Sequence, residues 1–546
     1  MSLQWKRRKM LAMRSKMNKE QNLDLDDDYK TTICTNAYIG KKGYTIPKSA
    51  LSQKDLNVIY GQLKVQPMSS GVAYNANVDE GAFPVYREND KKIYIPRFYG
   101  IERYGVPQRN EISAGEPISV HFPKPLRDYQ DKIVNVYMNH IEKPVSTNSL
   151  LKGNGGILEV PCGRGKTVMA LKIISLVQKK TLIIVHKEFL MNQWIERANE
   201  FLPGVKIGKI QGPLFDVEGK DIVIGMLQTL YDRAFPENAF QSFGLTIVDE
   251  VHRIGSEQFS KTLLRVITPN MLGISATVDR KDKLTCILYM FIGPKIYTET
   301  RKDEDPVCVR GIEYISSDPQ FNETEYDFRG QAKYSTMITK LCEYGPRSDF
   351  IVKLLDDLLI ESKENNEEAQ IMVLAHNRSL LKYFHHAIVH KGFASVGYYV
   401  GGMKQADLQE TEYKQIVLAT YAMAAEALDI KTLSILVMAT PKTDITQSVG
   451  RILRVRHNNP IVVDVIDRHE IFQNQWKQRR RFYKKCNYRI IGSDNMRYKG
   501  MNIDWKTDKT WAVIFDAKKN KTDDDECTGG NPLLRNKCLI QLEDMN

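Results

Sequence analysis

Residues 157–171 read ILEVPCGRGKTVMAL, and the reading of this stretch decides how the rest of the chain is organised. Ile157, Leu158 and Val160 form a short apolar run that predicts a buried strand. Gly163 and Gly165 predict a loop, and Lys166-Thr167 open a helical pattern. Strand to glycine loop to helix is the context in which a loop cradles phosphate. Glycines let backbone N–H groups turn toward an anion, and the new helix adds the positive end of its dipole. Lys166 would supply a mobile cation for β and γ phosphates, and Thr167 a hydroxyl for Mg2+. The spacing G-x-x-x-x-G-K-S/T puts its first glycine at Val160, so the strict pattern is missed. By itself the stretch also reads as a strand–helix turn with a surface lysine.

Working outward, 546 residues exceed one core and predict several domains. The 78 basic and 66 acidic residues leave a net charge of +12. That excess fits a polyanion partner such as nucleic acid, and equally a basic surface that keeps the chain in solution. Eight cysteines are scattered without a C-x-x-C pair, which speaks against a zinc ribbon or disulfide framework and for a reducing compartment. No apolar run approaches the ~20 residues that span a bilayer, and the basic N-terminus lacks the apolar core of a secretory signal. An intracellular soluble protein, monomeric and without a membrane partner, is expected.

Residues 1–43 are expected as a flexible charged tail, with Lys6 to Lys9 followed by Asp24 to Asp28. Residues 44–122 predict an α+β accessory module: a strand, a helix starting near Ser52, another strand, and a hairpin turned at Glu88-Asn89-Asp90. Residues 123–300 alternate strands (157–160, 181–186, 221–225, 245–248, 271–275) with helices (166–178, 188–201, 226–232, 256–267). Such alternation predicts right-handed crossovers and a mostly parallel sheet. Ligands bind such sheets at the carboxyl ends of the strands, where Gly163, Asp249 and Ser275 fall. Residues 301–345 are expected as a linker or insertion. Residues 346–491 repeat the α/β texture without a phosphate loop, and end in a basic helix from about Glu470. Residues 492–546 are expected as a polar extension with a weak strand at 538–542.

Asp249-Glu250 follow a buried strand, where Asp249 would hold Mg2+ and Glu250 would polarise an attacking water. An acidic strand–helix junction is the plainer alternative. Gln447, Arg451 and Arg454 lie on one helical pattern; the two arginines are three apart and share a face. As arginine fingers they would be worth about 10³–10⁵ in rate.

The order Leu126-Arg127-Asp128-Tyr129-Gln130, PCGRGKT, Asp249-Glu250-Val251-His252 (a DEVH box), Ser275-Ala276-Thr277 and QSVGRILR resembles a superfamily 2 helicase over roughly residues 123–490. The resemblance implies an α/β chain with two tandem RecA-like parallel-sheet domains: 123–300 for ATP binding and 346–491 for the helicase C-terminal part. Within the superfamily the chain looks like the XPB-type DNA translocases of transcription and repair. Pro161-Cys162-Gly163 is that branch's loop, and Arg280-Lys281-Asp282 stand where it has Arg-Glu-Asp. The segment ATYAMAAEALDIKTLSILVMATPKTDITQSVGRILR, with GYTIPKSAL and FPVYREND near the N-terminus, resembles helicases of large nucleocytoplasmic DNA viruses related to the poxvirus transcript-release helicase. That kinship implies host cytoplasm or nucleus, and the virion, as locations.

The resemblance implies that Arg127 and Gln130 recognise adenine and that Val160, Pro161, Cys162, Gly163, Arg164, Gly165, Lys166 and Thr167 surround the phosphates of ATP. Thr167 and Asp249 would hold Mg2+, and Lys166, Asp249, Glu250, Arg451 and Arg454 would run hydrolysis with Gln447. His252, Ser275, Ala276 and Thr277 would couple hydrolysis to movement. Lys187, Gln228, Thr229, Arg280 and Thr420 are candidate contacts to nucleic acid, DNA favoured over RNA, and transcription machinery is an implied partner. Capping and turn chemistry is the plainer reading of each contact. Lys281 replaces an acidic residue of the Arg-Glu-Asp element, which puts that element's duplex-separating role in doubt. Ala427 stands where glycine is usual before Leu428-Asp429. The basic helix near 478–485 is read either as a phosphate-tracking surface or as a solvated amphipathic helix.

Overall fold

The computed structural model describes residues 25–66, 82–143, 154–161, 163–251, 257–278, 284–299, 307–365, 368–426, 430, 432–450, 457, 459–500 and 509–517. The chain divides into two compact units, Met1–Lys302 with two short later segments, and the remainder.

The first unit is built on a sheet whose strands run Leu214–Phe215, Ile207–Gln211, Ile222–Met226, Thr181–Val185, Leu245–Asp249, Asn270–Ser275, Gly155–Glu159 and Lys295–Thr298. Every pairing is parallel except the outermost, Leu214–Phe215. Thr181–Val185 and Leu245–Asp249 are buried along their whole length, so they read as continuous apolar runs rather than alternating ones. One face of the sheet packs on the helices Asp128–Glu142, Lys166–Val177 and Glu188–Phe201 through Ile133, Tyr137, Ile173 and Trp194. The other packs on Leu227–Asp232, Glu257–Leu263 and Thr285–Ile292.

That second core does not stop at the sheet's helices. Ile33, Ile39, Tyr44, Ile46, Ile93 and Ile95 belong to the same apolar cluster as Val266, Met271 and Phe291. They come from a second sheet in the order Arg87–Glu88, Lys92–Ile95, Gly43–Pro47, Tyr38–Gly40 and Arg109–Asn110, with helices Asp27–Asn36, Gln53–Leu63 and Arg97–Tyr104. Arg97, 4% exposed, donates Nη1 to the carbonyls of Thr268 (3.1 Å) and Pro269 (2.8 Å). The segment read as an accessory module is thus welded to the first domain by a common core. Ser52 caps its helix as expected, accepting from Asp55 N (3.2 Å), and the Asn89 side chain turns the hairpin by accepting from Lys91 N and Lys92 N.

Part of the expected tail is ordered too. Asp27 and Asp28 sit in the first turn of a helix, where the dipole favours acidic residues, and Ile33 of that helix is fully buried. Residues 1–24 lie outside the described residues.

The second unit has a sheet ordered Val396–Tyr399, Ile416–Thr420, Gln370–Ala375, Leu433–Met438, Ile461–Asp467, Cys308–Tyr314, Arg489–Asp494 and Ala512–Phe515, parallel except for the last strand. Cys308–Tyr314, expected in a linker, is therefore an interior strand. Its sequence CVRGIEY hides it because Arg310 interrupts the apolar run. Arg310 is buried there only because Glu361, from the helix Gly345–Glu364, meets its guanidinium at 2.6 and 2.7 Å. The segment beyond 491, expected as a polar extension, extends the sheet through Asp494 and Ala512–Phe515; the expected strand 538–542 lies outside the described residues.

The helix Glu470–Lys485 is amphipathic in an unexpected sense. Arg479 and Tyr483 face inward onto the fully buried Asp464, Arg479 through two bonds of 2.7 and 2.8 Å, so only part of this basic stretch is open to solvent. Among the described residues no helix is long and apolar enough to cross a membrane.

Candidate active site

Parallel strands put their following loops on one edge, and the first sheet collects the candidate residues there in two groups. The loop after Gly155–Glu159, Ser275 at the end of Asn270–Ser275, and Asp249 at the end of Leu245–Asp249 come from three successive strands. Lys187 and Gln228-Thr229 follow the next two strands in that order, Thr181–Val185 and Ile222–Met226.

The loop itself is shaped by Gly163 and Gly165, at φ 82° and 80°, conformations that a side chain makes costly. At Gly165 space adds to the demand: a Cβ would lie 2.4 Å from Gln130 Nε2. Gln130 donates from that nitrogen to Arg164 O (3.1 Å) and accepts at Oε1 from Arg127 N (3.0 Å), closing a capping box at the start of Asp128–Glu142. Tyr129 Oη donates to the same Arg164 carbonyl (3.2 Å), while the Arg164 guanidinium lies 3.8 Å from the Tyr129 ring centre and pairs with Glu299. Val160 N donates to Ser275 O (2.8 Å), joining the loop to the neighbouring strand. The helix Lys166–Val177 then begins at Gly165 with no side-chain cap, so its first-turn amides point out toward the loop.

Lys166 Nζ stands 3.3 Å from Glu250 Oε1. Glu250 holds φ 49°, a left-handed backbone uncommon outside glycine and a mark of a constrained turn. Asp249 is 7% exposed; its Oδ2 accepts from Trp194 Nε1 (2.9 Å) and its Oδ1 from Glu250 N (2.9 Å). Burial first, and then the adjacent Glu250 carboxylate, push the Asp249 carboxyl up to about 6, against the pull of Trp194, Lys166 and the Glu250 amide. Two adjacent carboxylates stand here beside one ammonium, paired with Glu250, and Thr167 adds a hydroxyl in the first turn of the helix Lys166–Val177. Hard oxygen donors with an excess of negative charge suit a small divalent cation, so the residues fit Mg2+.

Ser275 Oγ donates to Thr277 O (2.6 Å), which folds Ser275-Ala276-Thr277 into a tight turn. Glu159, the last residue of the loop's strand, ties this turn down. It accepts from Val278 N (2.8 Å), Lys295 Nζ (2.9 Å) and Thr298 Oγ1 (3.2 Å). Sequence reasoning passed over Glu159, Trp194, Glu299 and the Tyr129–Arg164 stack. A charged residue closing an apolar strand was the available signal for Glu159; nothing local marked the others.

Of the nucleic-acid candidates, Gln228 bonds Asp232 one turn along its own helix (2.7 Å) and Thr229 accepts from Gly212 N (2.9 Å), in the turn after Ile207–Gln211. Lys187 is the half-buried residue that precedes Glu188–Phe201. In the second unit Thr420 ends a strand at that sheet's carboxyl edge, and Gln447 lies on the helix Thr446–Val449. Cys162, His252, Arg280, Arg451 and Arg454 lie outside the described residues.

The family model described as Type III restriction enzyme, res subunit, matches residues 123–280. A chain of Acanthamoeba polyphaga mimivirus, provisionally named an ATP-dependent RNA helicase, is 30% identical over 522 residues, covering 93% of this chain and 98% of that one. The chain belongs to the ATP-dependent superfamily 2 helicases. A protein of African swine fever virus with the same provisional name is 28% identical to this helicase over 390 residues, 67% of this chain and 74% of the other. The DNA 3′–5′ translocase XPB2 of Sulfurisphaera tokodaii is 28% identical over 297 residues, 52% of the helicase and 61% of the translocase. The helicase's match to the mimivirus chain runs well beyond the 123–280 span of the family model.

Proposed function

We propose that this helicase is an ATP-driven motor that steps along DNA in viral transcription or repair, of the XPB type and akin to the poxvirus transcript-release helicase. The observation that carries the motor reading is the meeting of Lys166 and Glu250 at 3.3 Å beside the buried Asp249. It brings the glycine loop and the acidic pair to one place. In this proposal Lys166 and the loop amides bind the phosphates, and Thr167 and Asp249 hold Mg2+. Mg2+ would supply neutralisation of charge on the transferring phosphoryl group. Glu250 takes a proton from the attacking water, and Arg451, Arg454 and Gln447 complete the site from the second domain. Ser275-Ala276-Thr277 and His252 couple turnover to movement, in which the domains close on ATP and part after hydrolysis.

Gln130 reads adenine in this scheme by exchanging one of its two present bonds for the base. Lys187, Gln228, Thr229, Arg280 and Thr420 contact the strand. The similarity to a DNA translocase supports the DNA assignment. The provisional names of the mimivirus and African swine fever virus relatives favour a second reading, an RNA helicase. ATPase stimulation by single-stranded DNA, duplex DNA and single-stranded RNA over a salt series separates them. Stimulation by DNA is expected, and stimulation by RNA alone overturns the DNA assignment.

A further inference from the structure

The five-stranded sheet of the first unit, antiparallel except where Tyr38–Gly40 meets Arg109–Asn110, buries one face in the common core. On its other face a single row crosses all five strands in register: Arg87 opposite Tyr94, Tyr94 opposite Thr45, Thr45 opposite Tyr38, and Tyr38 opposite Arg109. Tyr38 and Tyr94 are half-buried, and they stand two strand spacings apart, roughly 10 Å. Lys92 lies two residues before Tyr94 and so on the same face. It donates Nζ to Tyr38 Oη (3.2 Å) and stands 5.0 Å from that ring's centre, with the Arg109 guanidinium 5.1 Å from the same ring. Lys42 Nζ stands 5.4 Å from the Tyr94 ring, and Asn89 Nδ2 holds the Tyr94 hydroxyl at 3.2 Å.

The charges on this face are not balanced. Lys41 and Lys42 share Glu237 at 2.8 and 3.3 Å, whereas Lys92 and Arg109 pair with no carboxylate among the described residues. Two oriented rings, one of them beside two cations that lack acids, call for a partner with both flat π-faces and negative charge. Single-stranded nucleic acid has both, while an acidic peptide offers only the charge.

We propose that this face binds a single strand of nucleic acid, with bases stacking on Tyr38 and Tyr94 and phosphates held by Lys92 and Arg109. The inference rests on the helicase reading and gives the N-terminal sheet a part in holding the strand.

The test is binding of oligothymidine DNA and oligouridine RNA to the full-length chain, followed by fluorescence anisotropy over a salt series. Tyr38→Ala with Tyr94→Ala weakens binding about tenfold or more at every salt concentration, and the corresponding phenylalanine pair restores it. Lys92→Ala with Arg109→Ala flattens the slope of log affinity against log salt by about 1–2. Wild-type affinity in the alanine pair, or an unchanged slope in the cation pair, overturns the proposal. Photocrosslinking of iodouridine strands to the unaltered chain asks the same without substitution: adducts on Tyr38 or Tyr94 are expected, and adducts confined elsewhere count against it. An effect on only one oligonucleotide assigns the face to that nucleic acid. Failure of both oligonucleotides to stimulate the unaltered chain's ATPase defeats the helicase reading itself; stimulation together with an indifferent face defeats this inference alone.

Discussion

Gln130 and Gly165 approach so closely that a Cβ on Gly165 would lie 2.4 Å from Gln130 Nε2 and displace it, on a backbone at φ 80°. Gly165→Ala therefore imposes a strained left-handed alanine, about 1–2 kcal/mol, and pushes the Gln130 amide off its bond to Arg164 O. Nucleotide binding, followed with a fluorescent ATP analogue, is expected to fall at least about tenfold, a change of 1.4 kcal/mol. Unchanged affinity in Gly165→Ala shows that the loop does not need this geometry.

Lys166→Ala and Glu250→Gln each remove one member of the 3.3 Å pair. Steady-state ATPase should drop by about 10²–10³-fold or more in either, the usual loss for a preorganised charge at a reacting centre. The thermal midpoint should stay within a few degrees, since both side chains lie at the sheet's edge. Undiminished turnover in Glu250→Gln contradicts the assigned mechanism.

Asp249 gives the site a pH dependence. Its carboxyl is raised from 3.8 to about 6 by burial and by Glu250, so between those values the folded chain holds a proton that the unfolded chain has released. This group's contribution to stability is accordingly greatest in acid and fades as pH rises through about 6. In the proposed site Mg2+ would compete for the same oxygens, so its apparent affinity in the ATPase assay should strengthen as pH rises from 5 to 7. A flat Mg2+ dependence over that interval removes Asp249 from the metal site.

Arg97 holds two carbonyls of the loop before Asn270–Ser275 from a 4%-exposed position. Arg97→Ala leaves both acceptors buried and should cost about 2–4 kcal/mol, read as a lower urea midpoint for the first unit. A variant as stable as the parent means that the shared core alone joins the two sheets.

Asp464 and Arg479 form a fully buried pair in the second unit. Asp464→Asn strands a guanidinium inside the protein and should destabilise by about 3–5 kcal/mol, while replacing Asp464, Arg479 and Tyr483 together by apolar residues should cost far less. Equal losses in the single and triple variants, measured by denaturant unfolding, rule out the stranded charge as the cause.

These residues also show which parts of the molecule could be read from the chain. TLIIV at 181–185 and QIMVLA at 370–375 declared themselves as strands because both faces of each are covered. Asp249 and Ser275 were placed correctly because the carboxyl end of a strand is a local property. CVRGIEY at 308–314 was missed because the group that makes Arg310 tolerable, Glu361, lies 51 residues away. Trp194 escaped notice for the same reason: its bond to Asp249 spans 55 residues. Gln130 shows the reverse case. Its part in the site was implied by the resemblance alone, whereas both ends of its amide are engaged within the chain, and only the folded geometry reveals that.

The common core of the first unit has a mechanical consequence. With Ile95, Val266 and Phe291 in one cluster and Arg97 riveted to the loop at Thr268-Pro269, the described residues join the sheet that carries the glycine loop to the sheet that carries the tyrosines through packed side chains. In the proposed motor the outer sheet would ride with the first as a lever arm, carrying a small rotation at the glycine loop outward to the tyrosines.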